Sequence, residues 1–231
     1  MSIRNSFCLM AMISSLMMSS CTKDTTSVTP QGGMTAGNVL KKGTRWVYSN
    51  IYFDSAGVVT KSGPAYYDTT VIIGDTLSNN TQWFITSVQY NGDIYVVTAV
   101  GLRNNEYWKF LRGKCPRFDT ASLSPLFRND LKQDESFESV YCLTAGNGSE
   151  IRYKRTLVNS SVQVKTANDT YDCMQLKEEK IVPDGYGYFE YQNYFYHSAY
   201  GLIKNEYYKK SKGGTVYKAS ETLLLSVTIT P

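Results

Sequence analysis

The sequence predicts an all-β protein, built as a curved antiparallel sheet or half-barrel with at most one or two short helical turns. Its composition favours strands, because 19 Tyr and 9 Phe occur among 231 residues alongside many Val, Ile and Thr. Apolar and polar residues alternate over short segments bounded by turn residues, and no long stretch has the periodicity of a helix. An eleven-residue segment also occurs twice, which indicates that two repeated β-meanders form the sheet.

The first twenty residues resemble a bacterial export signal. Arg4 supplies a positive charge, and the apolar stretch 7–18 is long enough for a signal peptide but too short to span a bilayer as a helix. The stretch ends in Met18-Ser19-Ser20-Cys21, which resembles the bacterial lipobox. This resemblance implies a signal peptide over residues 1–20 and a membrane anchor at Cys21, which would be diacylated and begin the mature chain. The alternative is an ordinary secretory peptide with a chance cysteine.

The residues after Cys21 predict a tether. Residues 22–38 are rich in Thr, Gly and Ser and show no apolar period, so they cannot bury enough surface to fold. We therefore expect a flexible tether over residues 21–40 and a single β-domain over residues 41–231. Lys23-Asp24 resembles, incompletely, the export signal of Bacteroidetes surface lipoproteins. That resemblance implies the outer membrane, on its periplasmic or its cell-surface face.

Period-two alternation and turn residues delimit the expected strands. The segment between Cys115 and Glu135 breaks the pattern, because it contains Pro116 and Pro125. It is predicted to be a crossover between the two halves, with a short helical turn near 123–131. The expected strands are 45–53, 65–73, 82–90, 94–99, 106–111, 137–143, 150–159, 161–166, 172–181, 187–196, 201–209 and 216–230.

The repeated segment is the most informative feature of the mature chain. Residues 99–109 and 199–209 are identical at seven of eleven positions. The similarity predicts repeat halves over about 44–114 and 135–214, each closing on a Gly-Leu-x-x-Asn-Glu-Tyr unit. Its glycine, Gly101 or Gly201, is expected to allow a bulge or a tight bend. Two copies are too few for a solenoid, so one pseudo-symmetric sheet or barrel is expected.

Charge and cysteine content exclude several classes of protein. Removing Arg4 with the signal peptide leaves 23 basic against 20 acidic side chains, without the clustered basic face that nucleic-acid binding needs. No phosphate-binding or dinucleotide-binding loop occurs, so no cofactor is predicted. Besides Cys21, the mature chain contains Cys115, Cys142 and Cys173, which allows at most one internal disulfide. We expect at least one of the three to be a buried small hydrophobic residue.

Catalytic and metal-binding patterns are also missing from the sequence. His197 is the single histidine, and no G-x-S-x-G elbow accompanies it, so a surface or cross-strand packing role is expected rather than a triad or a metal site. Glu106 and Glu206 occupy equivalent repeat positions and could form the two carboxylates of a glycoside hydrolase. The simpler interpretation is that both point outward and pair with Lys109 and Lys209 or are solvated. The sequence therefore predicts a protein that is not an enzyme.

Aromatic residues crowd one stretch of the second half. Tyrosine has an apolar face and a polar tip, which suits sugar stacking or the wall of a cavity for an amphipathic ligand. The same residues also pack across strands in any sheet, and their positions on both faces require that some belong to the core. The candidate ligand-binding residues are Tyr186, Tyr188, Tyr191, Tyr194, Tyr196 and Tyr200.

Taken with the lipobox, Trp46-Val47-Tyr48 and the segment 201–206 resemble uncharacterised Bacteroidetes lipoproteins with β-rich domains similar to LolA/LolB-like half-barrels or to lipocalins. The resemblance implies a curved antiparallel sheet with a concave face and no known reaction. The leading hypothesis is an envelope lipoprotein that binds a lipid-like or glycan ligand on that face. The alternative is a structural or accessory component of an outer-membrane complex that binds an unknown protein partner. A glycoside hydrolase is the third hypothesis.

Overall fold

A computed structural model describes residues 39–78, 81–90, 93–103, 106–110, 123–128, 130–142, 150–181 and 190–230. The predicted signal peptide, Cys21 and nearly all of the predicted tether lie outside these residues. All the described residues belong to the unit Gly32–Pro231 of the chain. The described part folds into one antiparallel sheet that is curved but not closed, which confirms the predicted fold class.

Thirteen strands are described, and from β3 to β7 and from β8 to β13 each strand pairs with the next one along the chain. A three-residue 3-10 helix, Pro64–Tyr66, precedes the third strand. The strands are β1 Arg45–Phe53, β2 Val59–Lys61, β3 Tyr67–Ser78, β4 Thr81–Tyr90, β5 Asp93–Arg103, β6 Glu106–Phe110, β7 Leu123–Phe127, β8 Ser136–Cys142, β9 Glu150–Lys165, β10 Thr170–Lys180, β11 Tyr191–His197, β12 Gly201–Lys210 and β13 Val216–Thr228.

Two meanders make up the sheet, and the first and last long strands join them. The order is β7-β6-β5-β4-β3-β1-β13-β12-β11-β10-β9-β8, and β2 pairs with β1 alone. Every described pair is antiparallel, as expected where short turns connect neighbouring strands. The sheet therefore has its two ends at β7 and β8, with the β1–β13 pair at its centre.

The two copies of the repeated segment do not have the same conformation. In the first copy the chain bends, because β5 ends at Arg103 and β6 begins at Glu106 and pairs back onto β5. In the second copy, β12 runs without interruption from Gly201 to Lys210. Similar residues thus form a hairpin in one meander and a single strand in the other, because their partner strands differ.

The glycines of the two copies also have different roles. Gly101 pairs in regular register with Trp83 and Trp108, so the bulge or bend predicted there is wrong. A Cβ atom at Gly101 would lie 2.7 Å from Cζ3 of Trp83, so the indole ring needs the space that a side chain would fill. Gly201 has a φ angle of 75°, which favours glycine and lets the chain turn into β12.

The predicted helical turn near 123–131 is wrong, because residues Leu123–Phe127 form strand β7. Pro125 argued against a strand there, since proline cannot donate a ladder hydrogen bond. It is tolerated because β7 lies at the edge of the sheet, where one row of backbone groups has no ladder partner. The predicted break between strands 150–159 and 161–166 is also absent, since β9 is continuous. Two register irregularities lie there instead, and each adds one residue to β9 between Leu157 and Val162.

The core of the described part is a single apolar cluster on the inner side of the curved sheet. The side chains of Ile72, Leu157, Leu176 and Ile203 are fully buried there. Val39 and Leu40 are buried in the same cluster, although they belong to the predicted tether. These two apolar side chains therefore pack with the strands that follow them.

Candidate ligand-binding cavity

The curved sheet surrounds a cavity of about 290 Å³. Strands of both meanders contribute to its wall, and Leu40 forms part of it just before β1. Most of the lining is apolar or aromatic, and the hydroxyl-bearing residues Thr70 and Thr86 add polar points. This volume lies at the lower limit for small-molecule sites, which are mostly apolar with a few placed polar groups. The apolar wall outside β11 includes Trp46, Tyr48, Val88, Val100, Leu126 and Leu202.

Side chains of β1 fix the turn that closes one side of the cavity. Nε1 of Trp46 donates a hydrogen bond to the carbonyl of Tyr200 over 3.0 Å. The hydroxyl of Tyr48 donates to the carbonyl of Leu202 over 3.1 Å. Because both tips have a backbone acceptor, these two large rings can be buried at low cost while their apolar faces line the cavity.

Three of the predicted tyrosines lie together in the cavity wall: Tyr194, Tyr196 and Tyr200. The rings of Tyr194 and Tyr196 stack with centroids 5.8 Å apart and planes 16° apart. The two residues lie on one face of β11 because side chains alternate along a strand. Burial raises the pKa of Tyr196 to about 12, with the charges of Arg155 and Glu178 acting in opposite directions. Its hydroxyl therefore stays protonated at neutral pH.

Tyr191 does not line the cavity. It lies on the opposite face of β11, where its ring stacks on that of Tyr208 at a centroid distance of 4.4 Å. Nζ of Lys177 lies 4.8 Å from the centre of the Tyr191 ring. Tyr186 and Tyr188 fall outside the described residues. The aromatic stretch thus contributes to the cavity wall on one face of β11 and to a stacked pair on the other face. Aromatic residues on both faces of the strand were expected from the sequence.

A buried ion pair lies next to the aromatic residues of the cavity wall. Nε of Arg155 in β9 lies 2.6 Å from Oε2 of Glu178 in β10, and the two side chains are 1% and 2% exposed. Nη1 of Arg155 donates a hydrogen bond to the carbonyl of Leu126 in β7 over 2.6 Å. The Tyr194 hydroxyl donates to Oε1 of Glu178 over 3.2 Å. The guanidinium therefore links β7, at one end of the sheet, to β9 and β10, near the other end. Each charge has a partner, as burial requires.

Arg155 also lies over the ring of Tyr194, with its Cζ 5.0 Å from the ring centre. It is the one charged side chain among the described residues that line the cavity. Sequence reasoning missed both Arg155 and Glu178. The available signal was the spacing of Arg155 and Leu157, which lie two positions apart and therefore on the same, inward face of β9. A charged residue on such a face is rare and needs a partner.

His197 is buried and has a packing role, which is one of the two roles that the sequence left open. Its Nδ1 accepts hydrogen bonds from the backbone amides of Ala199 and Tyr200, at 3.2 and 3.3 Å. Its ring packs against Tyr171 and Tyr200 at centroid distances of 5.8 and 5.1 Å. Burial lowers the pKa of His197, while the charge of Asp172 acts against this shift. The neutral imidazole thus stabilises the turn that presents Tyr200 to the cavity.

Glu206 belongs to a charged network away from the cavity lining. Its Oε1 lies 2.8 Å from Nζ of Lys204 and 3.8 Å from Nζ of Lys218, so the expected pairing with Lys209 is wrong. Burial acts to raise the pKa of Glu206, but the hydrogen bond and charge of Lys204, with Lys218, lower it overall. A general acid for glycoside hydrolysis needs a raised pKa, so Glu206 is poorly suited to that role. The side chain of Glu106 lies outside the described part.

Cys173 is a free thiol buried in the core, as expected of at least one of the three cysteines. Burial, reinforced by the charge of Asp172, raises its pKa to about 12. Cys115 and the side chain of Cys142 fall outside what the structure describes. Within the described ranges, no cluster of three or more His, Cys, Asp or Glu side chains could hold a metal ion. No helix in those ranges is long and apolar enough to cross a membrane.

These features define an all-β protein whose curved, open sheet surrounds a small aromatic-lined cavity with a buried ion pair in its wall. Solved structures show the same fold. A protein from Bacteroides fragilis, described as exported and as having a YmcC-like fold, matches with a TM-score of 0.52 and 11% identity, over 81% of this chain and 96% of its own. A protein from Parabacteroides distasonis, described as a lipoprotein, matches with a TM-score of 0.51 and 13% identity, over 85% of this chain and all of its own.

At such low identity, these likenesses show a shared fold. Neither protein is described as LolA-like, LolB-like or lipocalin-like, so that finer resemblance stays a prediction. No protein-family description and no curated protein matches the sequence.

Proposed function

We propose that the protein is a cell-envelope lipoprotein, anchored through Cys21 to the bacterial outer membrane, whose cavity binds a small lipid-like amphiphile without catalysing a reaction. The observation that carries this proposal is the apolar, aromatic-lined cavity of about 290 Å³ between the two meanders. Concave, mostly apolar pockets with a few polar groups are typical of small-molecule sites, which favours a bound ligand over a partner that only contacts the surface.

The lining favours a lipid-like ligand over a glycan. Sugars need many hydrogen-bonding groups, and the wall offers mostly aliphatic and aromatic carbon. Two of its tyrosine hydroxyls, those of Tyr48 and Tyr194, already donate hydrogen bonds within the protein. The aromatic pair that lies outside the cavity, Tyr191 and Tyr208, is stacked face to face, so one face of each ring is already covered. Apolar burial then supplies most of the binding free energy, at about 25 cal/mol per Å².

The position of Leu40 supports membrane anchoring beside the cavity. Leu40 lines the cavity and lies nineteen residues after Cys21. A fully extended chain of that length spans at most about 65 Å, so an acylated Cys21 would keep the cavity close to the membrane. The structural neighbours described as an exported protein and as a lipoprotein agree with this placement. Two acyl chains would hold the protein stably, since each buried methylene contributes about 0.8 kcal/mol.

Binding of the fluorescent apolar probe N-phenyl-1-naphthylamine tests the cavity. Val100 lines the cavity, so Val100→Phe should fill part of it and weaken probe binding by about tenfold or more. The matched control is the same substitution at Val58, which is 60% exposed, and it should leave binding unchanged. Equal probe binding by the two variants and the unsubstituted protein would contradict the proposal.

Metabolic labelling with palmitate tests the anchor. The protein should incorporate label and sediment with the outer membrane, whereas Cys21→Ala should incorporate none and become soluble after cell lysis. Incorporation by Cys21→Ala, or a soluble unlabelled parent protein, would show that Cys21 is not the anchor. An assay for glycosidase activity with Glu206→Gln as the variant tests the absence of catalysis, and we expect no activity in either protein.

A further inference from the structure

We infer that the amphiphile bound in the cavity carries an uncharged sugar head group, which lies on a strip of polar side chains next to the cavity. This inference rests on the proposed function, because it names the head group of the ligand for the same site. The polar strip takes one side chain from each of five neighbouring strands: Asp68 in β3, Asn50 in β1, Thr222 in β13, Asn205 in β12 and Gln192 in β11.

The polar strip continues the face of the sheet that forms the cavity wall. Tyr48 and Tyr194 line the cavity. Side chains alternate along a strand, so Asn50 and Gln192, each two residues from one of these tyrosines, lie on the same face about 7 Å away. Asn205 pairs with Tyr194 in the β11–β12 register and lies on that face too. A ligand whose chain occupies the cavity can therefore place its head group over the polar strip.

Hydrogen bonds between neighbouring strands hold the polar strip in place. Nδ2 of Asn50 donates to Oδ2 of Asp68 over 2.8 Å, and Oγ1 of Thr222 donates to Oδ1 of Asn50 over 2.6 Å. Nδ2 of Asn205 donates to Oε1 of Gln192 over 3.2 Å. Among the residues that the structure describes, none hydrogen-bonds Oδ1 of Asp68, Oδ1 of Asn205 or Nε2 of Gln192. The polar strip thus offers fixed acceptors and a fixed donor to a ligand.

Tyrosine rings border the polar strip at its Asp68 end. Tyr90 pairs with Asp68 in the β3–β4 register, and Tyr52 follows Asn50 by two residues in β1, so both rings lie on the same face. Tyr52 is 39% exposed and Tyr90 is 37% exposed. The rings of Tyr52 and Tyr66 meet edge to face at a centroid distance of 5.9 Å. Accessible rings beside hydrogen-bonding groups suit a sugar, which stacks its C–H face on a ring while its hydroxyls contact polar side chains.

The chemistry of the polar strip favours an uncharged head group. Asp68 is its one ionisable member, and the Asp68 carboxylate would repel an anionic head group. Sugar hydroxyls both donate and accept, so they can use the oxygens of Asp68 and Asn205 together with the amide N–H groups of Gln192. A quaternary ammonium head group would pair with Asp68 but has no hydrogen-bonding group for the two amides. The arrangement therefore matches a glycosyl head group best.

Isothermal titration calorimetry with four eight-carbon probes tests the inference. The probes are octyl β-glucoside, octyl β-galactoside, octan-1-ol and octyltrimethylammonium, each below the concentration at which it forms micelles. The protein is the full-length chain with Cys21→Ser, which cannot be acylated. At least one glycoside should bind ~10-fold or more tightly than octanol, because its sugar adds several hydrogen bonds to the same chain. Octyltrimethylammonium should bind more weakly than that glycoside.

The outcomes separate this inference from the proposed function. If neither glycoside binds more tightly than octanol, the sugar head group is overturned and the cavity proposal stands. Tighter binding of octyltrimethylammonium than of both glycosides would also overturn the sugar head group, since the tyrosines and Asp68 would then select a cation. If no probe binds, both the inference and the proposed function are contradicted.

Two variants test whether the polar strip contacts the head group. Asp68→Asn keeps an acceptor for Asn50 but removes the charged oxygen, and Gln192→Met removes the free amide at nearly constant volume. Each should lower the preference for the glycoside over octanol by about threefold or more, with octanol affinity unchanged. The matched control is Gln163→Met at an exposed position of β9, which should change neither affinity.

A preference that survives Asp68→Asn and Gln192→Met together would show that the head group lies elsewhere. Unchanged octanol affinity shows that a variant is folded and its cavity intact. The comparison of the four probes needs no substitution in the sheet, so it tests the inference even if a variant fails to fold.

Discussion

Nε of Arg155 and Oε2 of Glu178 are 2.6 Å apart in a place where hardly any of either side chain reaches solvent. The two residues face each other across neighbouring strands, since Arg155 pairs with Glu178 in the β9–β10 register. Arg155 also contacts the carbonyl of Leu126 in β7. One guanidinium thus links the three strands β7, β9 and β10 beside the cavity. Substitutions in this ion pair therefore test the strand pairing as well as the cavity wall.

Removing one charge of this pair should cost far more stability than removing both. Arg155→Met leaves the Glu178 carboxylate buried without its cation, and breaking a buried pair in this way costs about 3–5 kcal/mol. Arg155→Met with Glu178→Gln should cost much less, because no lone charge is left. The free energy of unfolding from urea titration measures both. A single variant as stable as the double variant would mean that the pair is not buried in solution.

Stability should fall as the pH drops below about 6.5, in part because of His197. The ordinary histidine pKa of 6.5 applies to the unfolded chain, and burial lowers the pKa in the folded protein. The unfolded state therefore binds a proton first as pH falls, which favours unfolding through that window until the folded pKa is passed. Protonation at Nδ1 would also break its bonds to Ala199 and Tyr200.

The matched variant is His197→Asn, whose side-chain oxygen can accept the same backbone hydrogen bonds but does not titrate in this range. Urea unfolding at pH 7.5 and 5.5 should show a smaller loss of stability for His197→Asn than for the unsubstituted protein. Identical pH dependence in the two proteins would rule out His197 as a contributor.

Gly101→Ala should destabilise the protein by about 1–3 kcal/mol, the usual cost of overpacking. The new methyl group would lie 2.7 Å from Cζ3 of Trp83, within a wall of regularly paired strands that cannot easily separate. Gly74→Ala is the control, because a Cβ there meets nothing within 4 Å. Thermal unfolding should separate the two variants clearly, and an equal effect would show that the Trp83 ring does not occupy this position.

Cys173 should resist alkylation in the folded protein. Its pKa of about 12, against an ordinary value of 9.0, lowers the thiolate fraction at pH 8 by about 1000-fold, and its burial blocks access as well. Iodoacetamide labelling followed by peptide mass spectrometry should find this cysteine modified in urea and unmodified without it. Rapid labelling under native conditions would indicate that the core around Cys173 opens easily.

The sequence predicted local structure well where alternation and turns agree. Strand β1 has the predicted bounds, and the inward face of β11 holds Tyr194 and Tyr196 from the predicted aromatic set. Strand β7 was missed because Pro125 argues against a strand unless the strand is known to lie at an edge, and edges are set by the whole sheet. The different conformations of segments 99–109 and 199–209 likewise depend on their partner strands.

The ion pair could not be predicted because two register irregularities determine it. An unbroken ladder from Lys165 opposite Thr170 would set Arg155 opposite Lys180, which would repel it. The shifts around Gln175 bring Glu178 opposite Arg155 instead. Bulges of this kind leave no reliable mark in a single sequence, so the most polar part of the cavity wall is also the part that period-two reasoning cannot locate.

Native mass spectrometry of the exported full-length chain with Cys21→Ser tests most directly whether the cavity holds an amphiphile. The account predicts a single bound species with the mass of a small amphiphile, present with Val58→Phe and lost with Val100→Phe. A spectrum with no adduct, from protein that also fails to bind an apolar probe, would contradict it. An adduct that persists unchanged in Val100→Phe would place the ligand outside the cavity.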